Sequence, residues 1–285
     1  MFTPIRRFAL LLSISITAIS LPLTSAHAAP TKIISLSPSA TEILFGIGAG
    51  PQVLAVDSLS NYPATAPTTK LDAYSPNIEA ISAYKPDLVI LNDSAAKAQD
   101  VKSGLEALGI TVYFEHTPST IAGAYLEIKE IGIATGRSSE ANSLVSLMKK
   151  KIFSIIQKGK TRKKISFFHE IDKTLYTATS QTFIGSIYKD FGLINIADSA
   201  SKSDSSGYPQ LQSEFVIKAN PSIIFLGDAQ YGESSKTVVT RAGWREIAAV
   251  EKGNLFALPN DIPSRWGPRL VDFYQFVATS IVKSK

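Results

Sequence analysis

The sequence predicts an α/β protein built from two Rossmann-like lobes, each with a mainly parallel sheet, joined by one long backbone helix. Three observations carry this. Short apolar strands alternate with helices of ordinary length, the pattern of a parallel sheet covered on both faces. The alternation is interrupted once, by a long helical stretch without Pro or Gly, and then restarts. Finally, one segment recurs: Glu79-Ala-Ile-Ser-Ala-Tyr-Lys-Pro86-Asp-Leu-Val-Ile-Leu91 and Glu214-Phe-Val-Ile-Lys-Ala-Asn-Pro221-Ser-Ile-Ile-Phe-Leu226 share a Glu, a Pro seven residues on, and an apolar strand core. The two copies lie 135 positions apart, close to the 132 that separate the opening strands at Lys32 and Lys164.

In the first half, residues 32–36 read as a buried strand. Ser39-Ala-Thr-Glu42 reads as a capping box opening a helix that the glycines 46, 48 and 50 close. Strands follow at 53–56, 87–91 and 110–114, with helices at 78–83, through Leu105 and Leu108, and at 120–134. In the second half, strands are expected at 164–168, 174–178, 223–226 and 254–258. Helices are expected at 183–191, 214–219, 244–250 and 268–283.

Between the halves, residues 138–159 place Ala141, Leu144, Val145, Met148, Ile152 and Ile155 on one helical face. Ser138 is expected to cap the start and Gly159 to close the end, with Glu140 in the first turn and Lys158 in the last, in the sense the backbone dipole favours. Such a rod is roughly 30 Å long, enough to cross a whole lobe. The expected organisation is a signal segment at 1–28, an N-terminal lobe at 29–137, the connecting helix at 138–160 and a C-terminal lobe at 161–285.

Residues 1–28 carry Arg6-Arg7, an apolar run and Ala26-His27-Ala28, the three parts of a secretory signal cleaved near Ala28. Export follows, to a periplasm or the medium. The 29 Lys and Arg residues less these two, against 24 Asp and Glu, leave a mature charge of +3, too weak to argue for nucleic acid. The sequence has no cysteine, which excludes disulfides, thiol catalysis, thiolate metal sites and lipid attachment through an N-terminal Cys.

Catalytic signatures are scarce. Only His116 and His169 follow the signal, no Gly-x-Ser-x-Gly elbow or Walker loop occurs, and Gly46-Ile-Gly48-Ala-Gly50 closes a helix where a dinucleotide loop would open one. His116 and His169, one per lobe, could meet across a cleft with Glu115 or Glu170, but two imidazoles are few for a metal site, and none is assigned. Aromatic rings in loops and at strand ends are more informative: Tyr62, Tyr74, Tyr176, Tyr208 and Trp266. Rings so placed gain little unless something covers them, and with a few polar groups they suit a bulky, flat, amphipathic ligand.

The motifs Ile33-Ile-Ser-Leu-Ser-Pro-Ser-Ala-Thr-Glu42, Ser58-Leu-Ser-Asn-Tyr-Pro63 and Asn77-Ile-Glu-Ala-Ile81 with Lys85-Pro-Asp-Leu-Val89 carry a resemblance. Tyr208-Pro-Gln-Leu-Gln-Ser-Glu214 and Asp261-Ile-Pro-Ser-Arg-Trp-Gly-Pro-Arg269 extend it over nearly the whole mature chain. The chain resembles the periplasmic binding proteins that deliver cobalamin, haem or ferric siderophores to ABC importers, and most of all the cobalamin-binding type. The resemblance implies two lobes bridged by one rigid helix, no covalent chemistry, no resident cofactor, and a monomer that works with permease subunits. Tyr62, Tyr74 and Tyr208 match aromatic positions of the cobalamin pocket, and Asp261 and Arg265 match polar ones. Glu79 and Glu214 match lobe-surface carboxylates that engage arginines of the importer.

Where the cobalamin binder carries Trp, this chain has Tyr74, Tyr208 and Asn92, a thinner and more polar box. A corrinoid is the first expectation, with a ferric siderophore or haem as the alternative. An exported α/β hydrolase is the rival from another class.

Overall fold

The computed structural model describes residues 29–160, 163–200, 206–259 and 261–284. The expected signal segment lies outside them. The described residues form two four-stranded sheets of the same topology. The first has the order β2-β1-β3-β4, from β1 (Ile33–Leu36), β2 (Val53–Val56), β3 (Leu88–Asn92) and β4 (Thr111–Glu115). The second repeats it as β6-β5-β7-β8, from β5 (Ser166–Glu170), β6 (Ile194–Asn195), β7 (Ile223–Leu226) and β8 (Leu255–Ala257). Every pairing is parallel.

Helices α1 (Pro38–Gly46), α2 (Ile78–Ser82), α3 (Ala98–Ala107) and α4 (Ile121–Ala134) accompany the first sheet. Helix α5 (Ser138–Gly159) leads to the second sheet. That sheet carries α6 (Phe183–Asp190), α7 (Ala197–Ala200), α8 (Ser213–Ala219), α9 (Ser235–Val238), α10 (Ala248–Glu251) and α11 (Leu270–Lys283).

The period-two alternation of strand side chains divides the apolar residues into layers. Ile34, Leu36, Val89 and Leu91 face an outer core of the first lobe, and Phe168, Ile224 and Leu226 face one of the second. The intervening Ile33, Leu88 and Ile90, together with Phe167, Ile223 and Phe225, all join a single central core. Helix α5 makes that continuity possible, because it packs against α4 on one side and α11 on the other. Its buried Val145, Met148 and Ile152 each stabilise the fold by about 1.5–3 kcal/mol. The two lobes are therefore tied by packed apolar surface rather than by a free linker.

Several expectations are corrected. Residues 174–178 form no strand, and Tyr176 makes only an isolated antiparallel bridge to Gln210. Leu175 takes a positive φ of 69° and Asp172 accepts from the Thr174 N–H, so the segment turns back on itself; the sheet recruits β6 instead. Helix α1 starts one residue before Ser39: Ser37 is the cap, accepting from the Ala40 N–H at 3.2 Å, and Glu42 is left free for another task. Ser138 is the first residue of α5 rather than its cap.

Gly159 lies inside the end of α5, and a Cβ there would come within 2.7 Å of the Ala278 Cβ. It serves close approach to α11, not termination. The helix expected at 244–250 divides into a 3-10 turn, Trp244–Glu246, and α10, whose Ala248 N–H is held by Asn220 Oδ1 at 2.7 Å. Helix α11 begins at Leu270, two residues after Pro268.

Candidate ligand-binding cleft

In both sheets the second strand lies on one side of the first and the third on the other. The carboxyl ends of β1 and β3, and of β5 and β7, are therefore switch points, where open parallel sheets leave a crevice. A cavity of about 630 Å³ opens there. One wall comes from the carboxyl ends of β1, β2 and β3, with Ser37, Ser58 and Asn92; the other comes from Gln230 and Tyr231 after β7 and from Asp261, Arg265 and Trp266. Two further hollows, of about 500 and 350 Å³, adjoin it and share Ser264 with it.

The predicted residues distribute as follows. Tyr74, Asp261, Arg265 and Trp266 line the largest hollow. Tyr176 and Tyr208 line the second, and Tyr208 with Trp266 the third. Tyr62 lines none of the three hollows: the Arg269 guanidinium lies 4.4 Å from its ring centre, while the neighbouring Asn61 lines the largest and donates to Asp261 Oδ2 at 2.8 Å. Glu79 and Glu214 lie elsewhere, exposed in the first turns of α2 and α8, one per lobe.

The two histidines do not meet. His116 is in solvent, 2.7 Å from Asp93, and His169 is buried against the Tyr188 hydroxyl at 2.9 Å. Burial pulls His169 down to about 4. Among the described residues, no three His, Cys, Asp or Glu side chains gather as metal ligands.

The segment 261–269 belongs to the second half in sequence but is clamped to the first lobe. Glu42, buried on α1, takes the Arg269 guanidinium as a hydrogen-bond donor and has Arg265 Nε at 3.8 Å. Burial pushes the Glu42 carboxyl up, and the two arginines pull it back. Glu115, at the end of β4, accepts from Trp266 Nε1 at 2.9 Å and from Asn92 Nδ2 at 3.1 Å. That carboxyl is wholly buried, which pushes it up to about 7. Trp266 is thereby held in the cleft wall by a residue of the opposite lobe.

A matching arrangement underlies the second lobe's wall. Glu170, at the end of β5, accepts from Arg241 Nη1 at 2.7 Å, and Arg241 also reaches Glu233 at 2.9 Å. Asp228, buried after β7, is pushed up to about 7 by burial and by the charge of Glu170. The pairing of Glu42 with Arg269 and the place of Gln230 and Tyr231 in the cavity wall are not legible in the sequence, although Tyr231 carries the same signal as the other tyrosines, a ring in a loop after a strand.

Residues 33–262 match the family model described as periplasmic binding protein. The chain belongs to this family. Among its relatives is the uncharacterized ABC transporter substrate-binding lipoprotein YvrC of Bacillus subtilis, 33% identical over 88% of this chain and 80% of its own. The cobalamin-binding protein of Halobacterium salinarum is 26% identical over 85% of this chain and 67% of its own. A solved structure, a possible iron-binding (periplasmic solute-binding) protein of Staphylococcus epidermidis, superposes with a TM-score of 0.77 at 28% identity, covering 90% of this chain and 100% of that one.

As a periplasmic binding protein the chain is a substrate-binding component of an ABC importer and not an enzyme, which sets aside the hydrolase reading. No helix among its described residues is long and apolar enough to cross a membrane.

Proposed function

We propose that the chain is an exported receptor that captures a cobalamin-type corrinoid between residues 29–137 and 161–285 and hands it to a permease, with residues 138–160 as the rigid connection. One observation carries this: a cleft fused from three hollows, with Tyr74 from one lobe, Tyr176 and Tyr208 from the other, and Trp266 braced between them. Hollows of about 630, 500 and 350 Å³ side by side offer more room than a drug-sized molecule fills. Rings provide flat apolar contact, while Asn61, Asn92, Asp261 and Arg265 provide the donors and acceptors that an amide-rimmed corrin presents. The relative named for cobalamin supports this ligand, and the one named for iron favours the second reading, a ferric siderophore or haem.

Titration of the purified protein with cyanocobalamin, haemin and a ferric siderophore, followed by calorimetry, tests the reading. Saturable binding of cyanocobalamin without turnover is the expected result; saturation by haemin or the siderophore alone would move the assignment to the second reading. Glu79 and Glu214, exposed acids on separate lobes, suit basic sites on a two-subunit permease. The double variant Glu79→Ala/Glu214→Ala should bind ligand as before but lose uptake in cells, and a loss of binding would refute the docking role.

A further inference from the structure

Tyr231 is not among the rings assigned to the ligand above, yet it is 83% exposed, more than any other large hydrophobic among the described residues. It lines both the 630 Å³ cavity and the 500 Å³ hollow. On the opposite wall of the larger cavity stands Tyr74, itself 70% exposed. Neither exposure reflects a loosely held backbone.

Tyr231 ends a 3-10 turn, Ala229–Tyr231; its N–H donates to the Asp228 carbonyl at 2.8 Å, and Gly232 follows at a φ of +102°, a conformation that favours glycine. Tyr74 donates its N–H to Asp72 Oδ1 at 2.7 Å, and its carbonyl accepts from the Ala96 N–H at 2.8 Å, tying it to the loop after β3. Two exposed tyrosines on hydrogen-bonded turns, one from each lobe, thus border the same cavity. A tyrosine ring buries roughly 150–250 Å² when covered, and these two leave most of that unrealised.

We infer that Tyr74 and Tyr231 form a two-jaw aromatic clamp that holds a flat conjugated ligand between one ring face from each lobe, with Tyr231 making retention depend on both lobes. The identity of that ligand rests on the reading given under Proposed function; the facing of the jaws does not.

Two measurements separate these. The chain contains no cysteine, so a Tyr74→Cys/Tyr231→Cys variant carries only the two introduced thiols. A short bismaleimide should link them within one chain in high yield, and failure to do so would overturn the clamp whatever the ligand is. In titrations with cyanocobalamin and haemin, Tyr231→Ala should weaken the bound probe by about tenfold, while Tyr231→Phe stays within about twofold of the parent. Unchanged affinity in Tyr231→Ala would refute the clamp. So would an equal loss in Tyr231→Phe, since the hydroxyl and not the ring face would then be responsible. A parent chain that binds neither probe refutes the corrinoid and haem readings, and the crosslink alone then decides the clamp.

Discussion

Asp228 shows what a single buried acid does to this fold. Its carboxyl is buried close to the charge of Glu170, and its folded-state pKa is pushed up to about 7 from an ordinary 3.8. The folded protein therefore keeps a proton that the unfolded chain releases. Its contribution to stability is largest below about pH 4, falls as pH rises, and levels off above about pH 7. Asp228→Asn, which mimics the protonated acid, should gain melting temperature relative to the parent as pH rises from 4 to 7, with the difference constant above; thermal melts across that range check it. Glu115, also pushed up to about 7, works in the same direction while keeping Trp266 in place.

The residue scale is also where the sequence was least legible. Glu42 looked like half of a capping box, a local role, whereas its partners are Arg265 and Arg269, the latter 227 residues away. Nothing within a turn of Glu42 announces that pairing. The aromatic positions were easier, because a large ring in a loop after a strand is unusual wherever the fold later places it.

Elements follow local rules, and most were readable for that reason. The spacing of Ala141, Val145, Met148 and Ile152 marks the buried face of α5 without knowledge of what covers it. Its end is different. Sequence alone marks Gly159 as a terminator, but a Cβ there would crowd Ala278 and Phe191 at 2.7 and 2.9 Å. Gly159→Ala should therefore destabilise the protein by about 1–3 kcal/mol through overpacking against α11, although alanine is the better helix former. Urea denaturation decides: a stabilised variant would mean that helix propensity governs this position. Residues 174–178 failed for the complementary reason, since a β-rich composition cannot reveal a positive φ at Leu175.

For the whole molecule, the decisive feature is one central core that takes side chains from both sheets through α4, α5 and α11. Lobes that share a core have no independent route to unfolding. Calorimetry should show a single transition whose calorimetric and van't Hoff enthalpies agree, and Ile152→Ala should move it as one unit by about 2–5 kcal/mol. Two resolved transitions would mean that α5 tethers the lobes without coupling them. The same core explains how a cleft with exposed tyrosines can stay open: its walls are held from behind, so the rings cannot collapse onto each other to find cover.

From sequence alone came the α/β class, the two-lobe repeat, the long connecting helix and most of the aromatic residues that line the cleft, because hydrophobic period, turn chemistry and motif order act over a few residues at a time. Tertiary structure alone decided that segment 261–269 crosses to the first lobe, that Glu42 and Glu115 hold it there, and that Tyr231 and Tyr74 line one cavity. Those relations join residues some 150 to 230 positions apart. They arise only once the parallel sheets bring their carboxyl ends together, since hydrogen bonds and ring contacts depend on distance in space and not along the chain.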